Sequence, residues 1–252
     1  MQIEVVTLFP PMITGALRFG VVGRALVSGR LAVGTEDPRE HTRDVHRTVD
    51  DRPYGGGPGM VLKPEPMLAA IRAAAARLPQ GSPRVCLSAQ GERFTQAMAG
   101  EFAALPGLML VAGRYEGLDE RVIELGIDRE VSIGDYVLSG GELPALAVID
   151  AVARLLPGVL GDERSSECDS FSQGLLDWPH YTRPEVFEGL EVPQVLLSGH
   201  HADIERWRLA QAVARTWRRR PDLVRGQVLQ PDAQRLLNEL LAAEADRGDD
   251  RG

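Results

Sequence analysis

The chain has 252 residues, an ordinary apolar content of 44% and few aromatic residues at 5%, which suits one sizeable domain plus a small one. Two distant cysteines, Cys86 and Cys168, with no C-x-x-C spacing, indicate neither a disulfide framework nor a zinc site and fit a reducing, cytoplasmic compartment. No apolar run reaches the roughly 18 residues of a membrane span, and the net charge of -8, taken as a sum, speaks against a nucleic-acid binder.

The segment Met1–Leu8 lacks a basic n-region and reads as a strand over Ile3–Leu8 rather than a signal peptide. Further strand-like runs fall at Val85–Leu87, Leu108–Ala112 and Glu130–Ile133, and helical stretches at Pro66–Arg77, Gln96–Ala104, Leu118–Leu125 and Leu143–Leu156. Alternation of this kind predicts an α/β domain over residues 1–160, with a mainly parallel sheet and helices packed on it. By 3–4 spacing Leu143, Leu146, Ala147, Asp150, Ala151 and Arg154 share one stripe, leaving two charges to explain. Residues 161–176 are polar, acidic and serine-rich, as in an interdomain linker. After Asp177 the pattern becomes nearly all helical to residue 246. His201–Arg219 places Trp207, Ala210, Ala214 and Trp217 on a core side, Asp232 caps a last helix through Leu241, and residues 247–252 read as a disordered tail.

Three loops stand at the carboxyl ends of strand-like runs, each leading into a helical pattern. They are Leu87-Ser88-Ala89-Gln90-Gly91, Ala112-Gly113-Arg114-Tyr115-Glu116-Gly117, and the run from Ser132 through Gly134, Gly140 and Gly141 to Pro144. One such loop is as easily an ordinary turn as a ligand-wrapping surface. Three together suggest a shared pocket, because ligands of open α/β sheets sit outside the carboxyl ends of the strands. None is a dinucleotide or P-loop fingerprint. The segment Asp50–Met60, with glycines at 55, 56, 57 and 59, is either a flexible turn or a surface that a flat ligand approaches closely.

Charge is unevenly distributed. Residues 161–180 carry one arginine against five carboxylates, and residues 203–225 carry seven arginines against three. Arg208, Arg215, Arg218 and Arg219 fall on one side of the helix His201–Arg219. Such a stripe is either a solvated face or a phosphate-binding surface.

Several segments, in this order, resemble the bacterial tRNA (guanine-N1)-methyltransferases, the TrmD family. These are Thr7-Leu8-Phe9-Pro10, Asp51-Arg52-Pro53-Tyr54-Gly55-Gly56-Gly57-Pro58-Gly59-Met60, Gly113-Arg114-Tyr115-Glu116-Gly117 and Ser132-Ile133-Gly134-Asp135-Tyr136-Val137-Leu138-Ser139-Gly140-Gly141-Glu142. They continue with Asp169-Ser170-Phe171, Pro179-His180-Tyr181-Thr182-Arg183-Pro184 and Val195-Leu196-Leu197-Ser198-Gly199-His200-His201. The resemblance implies a trefoil-knotted α/β methyltransferase domain, an exception to unknotted topology, and a small all-helical carboxyl-terminal domain. It implies S-adenosylmethionine as donor, a homodimer, and methyl transfer to N1 of guanosine 37 of tRNA, with guanosine preferred at position 36.

Residue by residue, it implies Asp169 as general base, Arg154 as the cation beside the guanine, and Glu116 near the reacting groups. Cofactor contacts fall to Leu87, Ser88, Gly91, Gly113, Tyr115, Ser132, Ile133, Gly134, Asp135, Tyr136, Val137, Leu138, Gly140, Gly141 and Pro144. The tRNA falls to Tyr54, Gly59, Met60, His180, Arg183, Arg208, Arg215, Arg218 and Arg219. Magnesium dependence is also implied, with Glu116 a candidate ligand, although no metal-binding spacing shows it independently. Cys86 and Ala89 depart from the family's usual aromatic and proline. The alternatives are another knotted RNA methyltransferase, which would lack the Asp169 and Pro179–Pro184 segments, and a non-catalytic RNA-binding protein using the arginine stripe.

Overall fold

A computed structural model describes residues 1–161, 169–172, 174–226 and 228–249. The chain divides into two compact units, Met1–Glu163 and Arg164–Gly252.

In the first unit, β1 (Gln2–Val6) leads to α1 (Pro10–Ala16), α2 (Gly20–Val27) and β2 (Ala32–Glu36). Prolines in the first turn of α1 lose no hydrogen bond there. A two-residue ladder joins β3 (Asp50–Asp51) to β4 (Val61–Leu62), and α3 (Pro64–Ala75) follows, again opened by proline. Next come β5 (Arg84–Arg93), α4 (Gln96–Ala103), β6 (Gly107–Ala112), α5 (Glu120–Gly126), β7 (Arg129–Ser132) and α6 (Glu142–Ala153). The Thr95 hydroxyl caps α4 by accepting from the Met98 amide, and the Asp119 carboxylate caps α5 from the Arg121 amide.

The sheet has five strands in the order β2-β1-β6-β5-β7, all parallel. Every residue of central β6 is buried, as expected of a strand covered on both faces. One core layer joins Ile3, Val5, Leu108 and Leu110 to Val148, Ile149 and Phe102, and the opposite layer joins Val6, Met109 and Val111 to Met67 and Ile71. The predicted parallel α/β sheet is therefore present.

Two expectations need correction here. The stretch after Leu87 does not run straight into a helix. Strand β5 continues to Arg93, and its pairing with β7 shifts register between Leu87 and Glu92, so the intervening residues bulge outward. The stripe read on the last helix of this unit is its less buried side, with only Leu146 and Ala151 packed partly against the core. Helix α6 buries Pro144, Ala145, Val148, Ile149 and Val152, while Leu143, Ala147 and Asp150 are exposed. A helix apolar on nearly every side fits more than one 3–4 stripe, and the smaller and β-branched side chains won the core.

The second unit is not all-helical. Val186–Phe187 (β8) and Leu190–Glu191 (β9) form an antiparallel hairpin. Its turn residues Glu188 and Gly189 both have positive φ, 50° and 81°, the primed-turn geometry that suits two-residue hairpins. A single helical turn, α7 (Gln194–Leu197), precedes α8 (His201–Arg219), and α9 (Pro231–Asp249) runs past the Leu241 expected of it. Helix α8 buries Ala212, Val213 and Thr216 against Leu175, Val224, Ala233 and Leu237. The core side is thus rotated from the Trp207–Ala210–Ala214 set, and only Trp217 of the expected residues packs against it.

Candidate active site

A cleft of about 250 Å³ opens at the carboxyl ends of β5, β6 and β7. Its walls are the β5 bulge (Leu87, Ser88, Ala89, Gln90), the loop after β6 (Gly113 to Leu118) and the loop after β7 (Ile133, Gly134, Tyr136 to Leu138, Gly140, Gly141), with Ser132 and Pro144 at its margins. The three sequence loops do converge. Two expected residues stand outside. Gly91 lies in β5, where a Cβ would collide with the backbone of Glu130 and Val131, so its role is close strand packing. The Asp135 carboxylate points to solvent, 4.0 Å from Arg93.

The loops are joined by main-chain contacts. The Gly141 amide donates to the Gly113 carbonyl oxygen at 2.9 Å, and Arg114 and Gly140 form an isolated antiparallel bridge. Gly141 is required by this approach, because a Cβ would fall 2.6 Å from the Ala112 Cα. The Ser132 hydroxyl donates to the Gly134 carbonyl oxygen at 3.1 Å and accepts from its amide at 3.2 Å, holding the start of the third loop. Tyr115 sits at φ 59° without being glycine, a strained conformation of the kind that gathers at binding sites. Tyr115 and Tyr136 leave about half of their surfaces exposed at the cleft, 54% and 55%. Cys86 also lines it. Burial, with the nearby Glu130 charge, pushes its thiol up to about 12, so the group is neutral at physiological pH and no nucleophile.

Glu116 faces this cleft. Its amide donates to the Met60 carbonyl oxygen at 3.0 Å, and Leu62 exchanges backbone bonds with Gly117 and Asp119. The glycine segment that closes β3 and β4 therefore lies along the second loop. Gly59 and Met60 stand beside Glu116, and Tyr54 is wholly exposed. Arg154, the C-cap of α6, is half-buried and is not among the cleft residues.

Asp169 belongs to the second unit. There it lines a cavity of about 470 Å³ with Trp178, Arg208, Asp232 and Arg235. Arg208 stacks 5.1 Å over the Trp178 ring and pairs with Glu205 at 2.7 Å. His180 sits 2.6 Å from the Asp177 carboxylate, Arg183 is exposed and precedes a cis Pro184, and Arg218 lies 3.8 Å from Glu244. Arg215 is half-buried and Arg219 exposed. Cys168 lies outside the described residues. Sequence reasoning gave no role to Arg114 and Glu142, whose side chains meet at 2.8 Å; an acid opening an apolar helix was the available signal.

Among the described residues, no group of three or more His, Cys, Asp or Glu side chains is gathered as a metal ion requires, and no helix is long and apolar enough to cross a membrane. Among the described residues, the donor set does not gather into an all-protein magnesium site.

Fold and cleft together define an open parallel α/β protein with a loop-walled cleft at its strand ends, where ligands of such sheets sit. The sequence pattern of the tRNA (Guanine-1)-methyltransferase TrmD family matches residues 1–226. The chain is 61% identical over 239 residues to a tRNA (guanine-N(1)-)-methyltransferase of Methylococcus capsulatus, covering 95% of each chain. It is 55% identical over 245 residues to proteins of that name from Escherichia coli O139:H28 and Shigella boydii, covering 97% of this chain and 96% of theirs. The chain belongs to the TrmD family of tRNA (guanine-1)-methyltransferases.

Proposed function

We propose that this chain transfers a methyl group from S-adenosylmethionine to N1 of guanosine 37 of tRNA, preferring guanosine at 36. What carries the reading is the convergence of all three loops on one cleft in a chain of this family. Bound there, S-adenosylmethionine supplies an electrophilic methyl group. Backbone groups of Leu87, Ile133, Gly134, Tyr136 and Leu138 would hold its adenine, with Pro144 against the ring. The cradle formed where Gly141 approaches Ala112 suits a ligand held by main chain.

Guanine N1 carries a proton at neutral pH and must lose it as the nitrogen takes the methyl. A carboxylate is a weak base for this step unless it is shielded from water. Asp169 accepts the N1 proton, and Arg154 stabilises the negative charge growing on guanine O6, as an oxyanion site does. Glu116, beside Gly59 and Met60, orients the base. Arg208, Arg215, Arg218 and Arg219 of α8, with His180 and Arg183, face the tRNA backbone.

Three further features belong to this reading. The first unit is trefoil-knotted. In support, the chain leaves β7 at one sheet edge, reaches Gly113 beyond central β6, and continues as α6 packed on α1, α2 and α4. The protein is a homodimer; the outer side of α6, with Leu143 53% exposed, and the neighbouring α1, with Met12 39% exposed, leave apolar surface for a second copy. The compartment is the cytoplasm, where tRNA is.

The test is methyl incorporation from labelled donor into unmodified tRNA transcripts that differ only at positions 36 and 37. Incorporation should vanish when guanosine 37 is replaced. Unchanged incorporation there would mean that the target is wrong.

A further inference from the structure

Among the described residues Glu142 is the only charged side chain with no solvent exposure. A carboxylate so placed persists only if it is paired and hydrogen-bonded. Its Oε1 accepts from the Thr7 hydroxyl at 2.8 Å, and its Oε2 lies 2.8 Å from Arg114 Nε, a close charge contact that is out of line for a hydrogen bond. The Thr7 oxygen in turn accepts from the Phe9 amide at 2.9 Å. Arg114 donates from a terminal nitrogen to the Ser139 carbonyl oxygen at 3.1 Å and stacks 4.5 Å over the Phe9 ring. Gly140 lacks a Cβ where Arg114 fills the space.

One buried ion pair thus ties together the end of β1, the loop after β6 and the loop after β7. Arg114, Gly140 and Gly141 line the cleft, while Thr7 and Glu142 do not. Arg114 is thus part of the wall that a ligand touches, while Glu142 and Thr7 stand behind it. It also governs a charge. Arg114 and Glu116 both line the cleft, so an arginine deprived of Glu142 brings an unmatched positive charge to the wall that also carries the Glu116 carboxylate.

We propose that Glu142, held by Thr7, is a positioning residue for the cleft. It fastens Arg114 beneath the second and third loops so that their backbone groups form one ready-made surface, and it keeps the Arg114 charge matched on the wall that also carries Glu116. This rests on the methyl-donor reading of the cleft. It also gives the Thr7-Leu8-Phe9-Pro10 segment a function, which is to supply the hydroxyl and the ring that seat this pair.

The test uses the full chain and S-adenosylhomocysteine, with calorimetric Kd and Tm as readouts. Glu142→Gln leaves the half-buried Arg114 without its carboxylate, so both affinity and Tm should fall, affinity by about tenfold or more. The double variant Arg114→Gln/Glu142→Gln removes both charges and should regain most of the Tm while its Kd stays about tenfold weak. Thr7→Val keeps both charges but leaves Glu142 Oε1 without its donor, so binding should weaken severalfold and Tm should fall as well. If affinity returns along with Tm in the double variant, or if Thr7→Val binds like wild type, the pair is only structural and the inference fails. Should Glu142→Gln not fold, the other two variants decide. Wild type that binds no S-adenosylhomocysteine sinks the methyl-donor reading, and this one with it. Wild type that binds no better than the double variant sinks this one alone.

Discussion

Gly59 lies against the carboxylate of Glu116 so closely that a Cβ would collide with its Oε1. Gly55 has nearly the same φ, 83° against 82°, but open space around it. Alanine at either position incurs a left-handed backbone penalty of about 1–2 kcal/mol. Only Gly59→Ala also displaces Glu116. Gly59→Ala should therefore lower kcat/KM by about tenfold more than Gly55→Ala, a difference of about 1.4 kcal/mol in transition-state binding, with similar Tm losses. Equal kinetic losses would show that Glu116 does not depend on the bare glycine.

Asp169→Asn removes the carboxylate proposed as the base, which is not among the residues lining the cleft. Turnover should fall by about 10²–10⁴-fold, the usual contribution of a positioned base, with the Kd for S-adenosylhomocysteine unchanged. Single-turnover methyl transfer and calorimetry separate the two. A joint loss of binding and turnover would make Asp169 a structural residue.

How much of this was legible depended on where each signal lay. Central strand β6 was readable because a buried parallel strand is a continuous apolar run; the helix start expected at Gln96 matches α4, whereas the one expected at Pro66 lies two residues inside α3, which opens at Pro64. Edge strand β2 was missed, since Ala32-Val33-Gly34-Thr35-Glu36 has neither alternation nor a run. The hairpin Val186–Glu191 escaped because two-residue strands carry no period, and only the Glu188-Gly189 turn hinted at it. The cleft loops could be listed from glycines, yet Gly91 shows that composition does not separate a ligand loop from close strand packing. The Thr7–Glu142 bond spans 135 positions, a separation over which no local pattern carries information.

On α8 the arginines differ in what already holds them. Arg208 stacks on Trp178 and pairs with Glu205, so Arg208→Ala should lower the Tm of the second unit as well as weaken tRNA binding. Arg219 is exposed at the last turn of the helix. Arg219→Ala and Arg215→Ala should weaken binding of all tRNAs alike and reduce the salt slope of log K by about 1 each. Filter binding from low to moderate salt reads the slope. An unchanged slope would place that arginine away from the phosphates.

Glu36 at the edge of the sheet makes the first unit sensitive to acid. Burial raises its pKa, but hydrogen bonds and charge attraction from His41, 2.7 Å away, and Arg77, 2.7 Å away, outweigh that and hold it below the ordinary 4.5. A carboxyl depressed in the folded state binds its proton more tightly when unfolded. Its stabilisation is therefore fully present above about 4.5 and is lost as pH falls through the folded value. Asp128, held low by the Arg84 hydrogen bond, acts in the same direction. Glu36→Gln should lower Tm at neutral pH and narrow the Tm difference between pH 7 and about pH 3.5, because the variant has less to lose. Arg77 keeps its second partner, Glu4, at 2.6 Å, so the fold should survive the change. Thermal melts across that range decide the matter: parallel curves for wild type and variant would remove Glu36 as a source of the acid sensitivity.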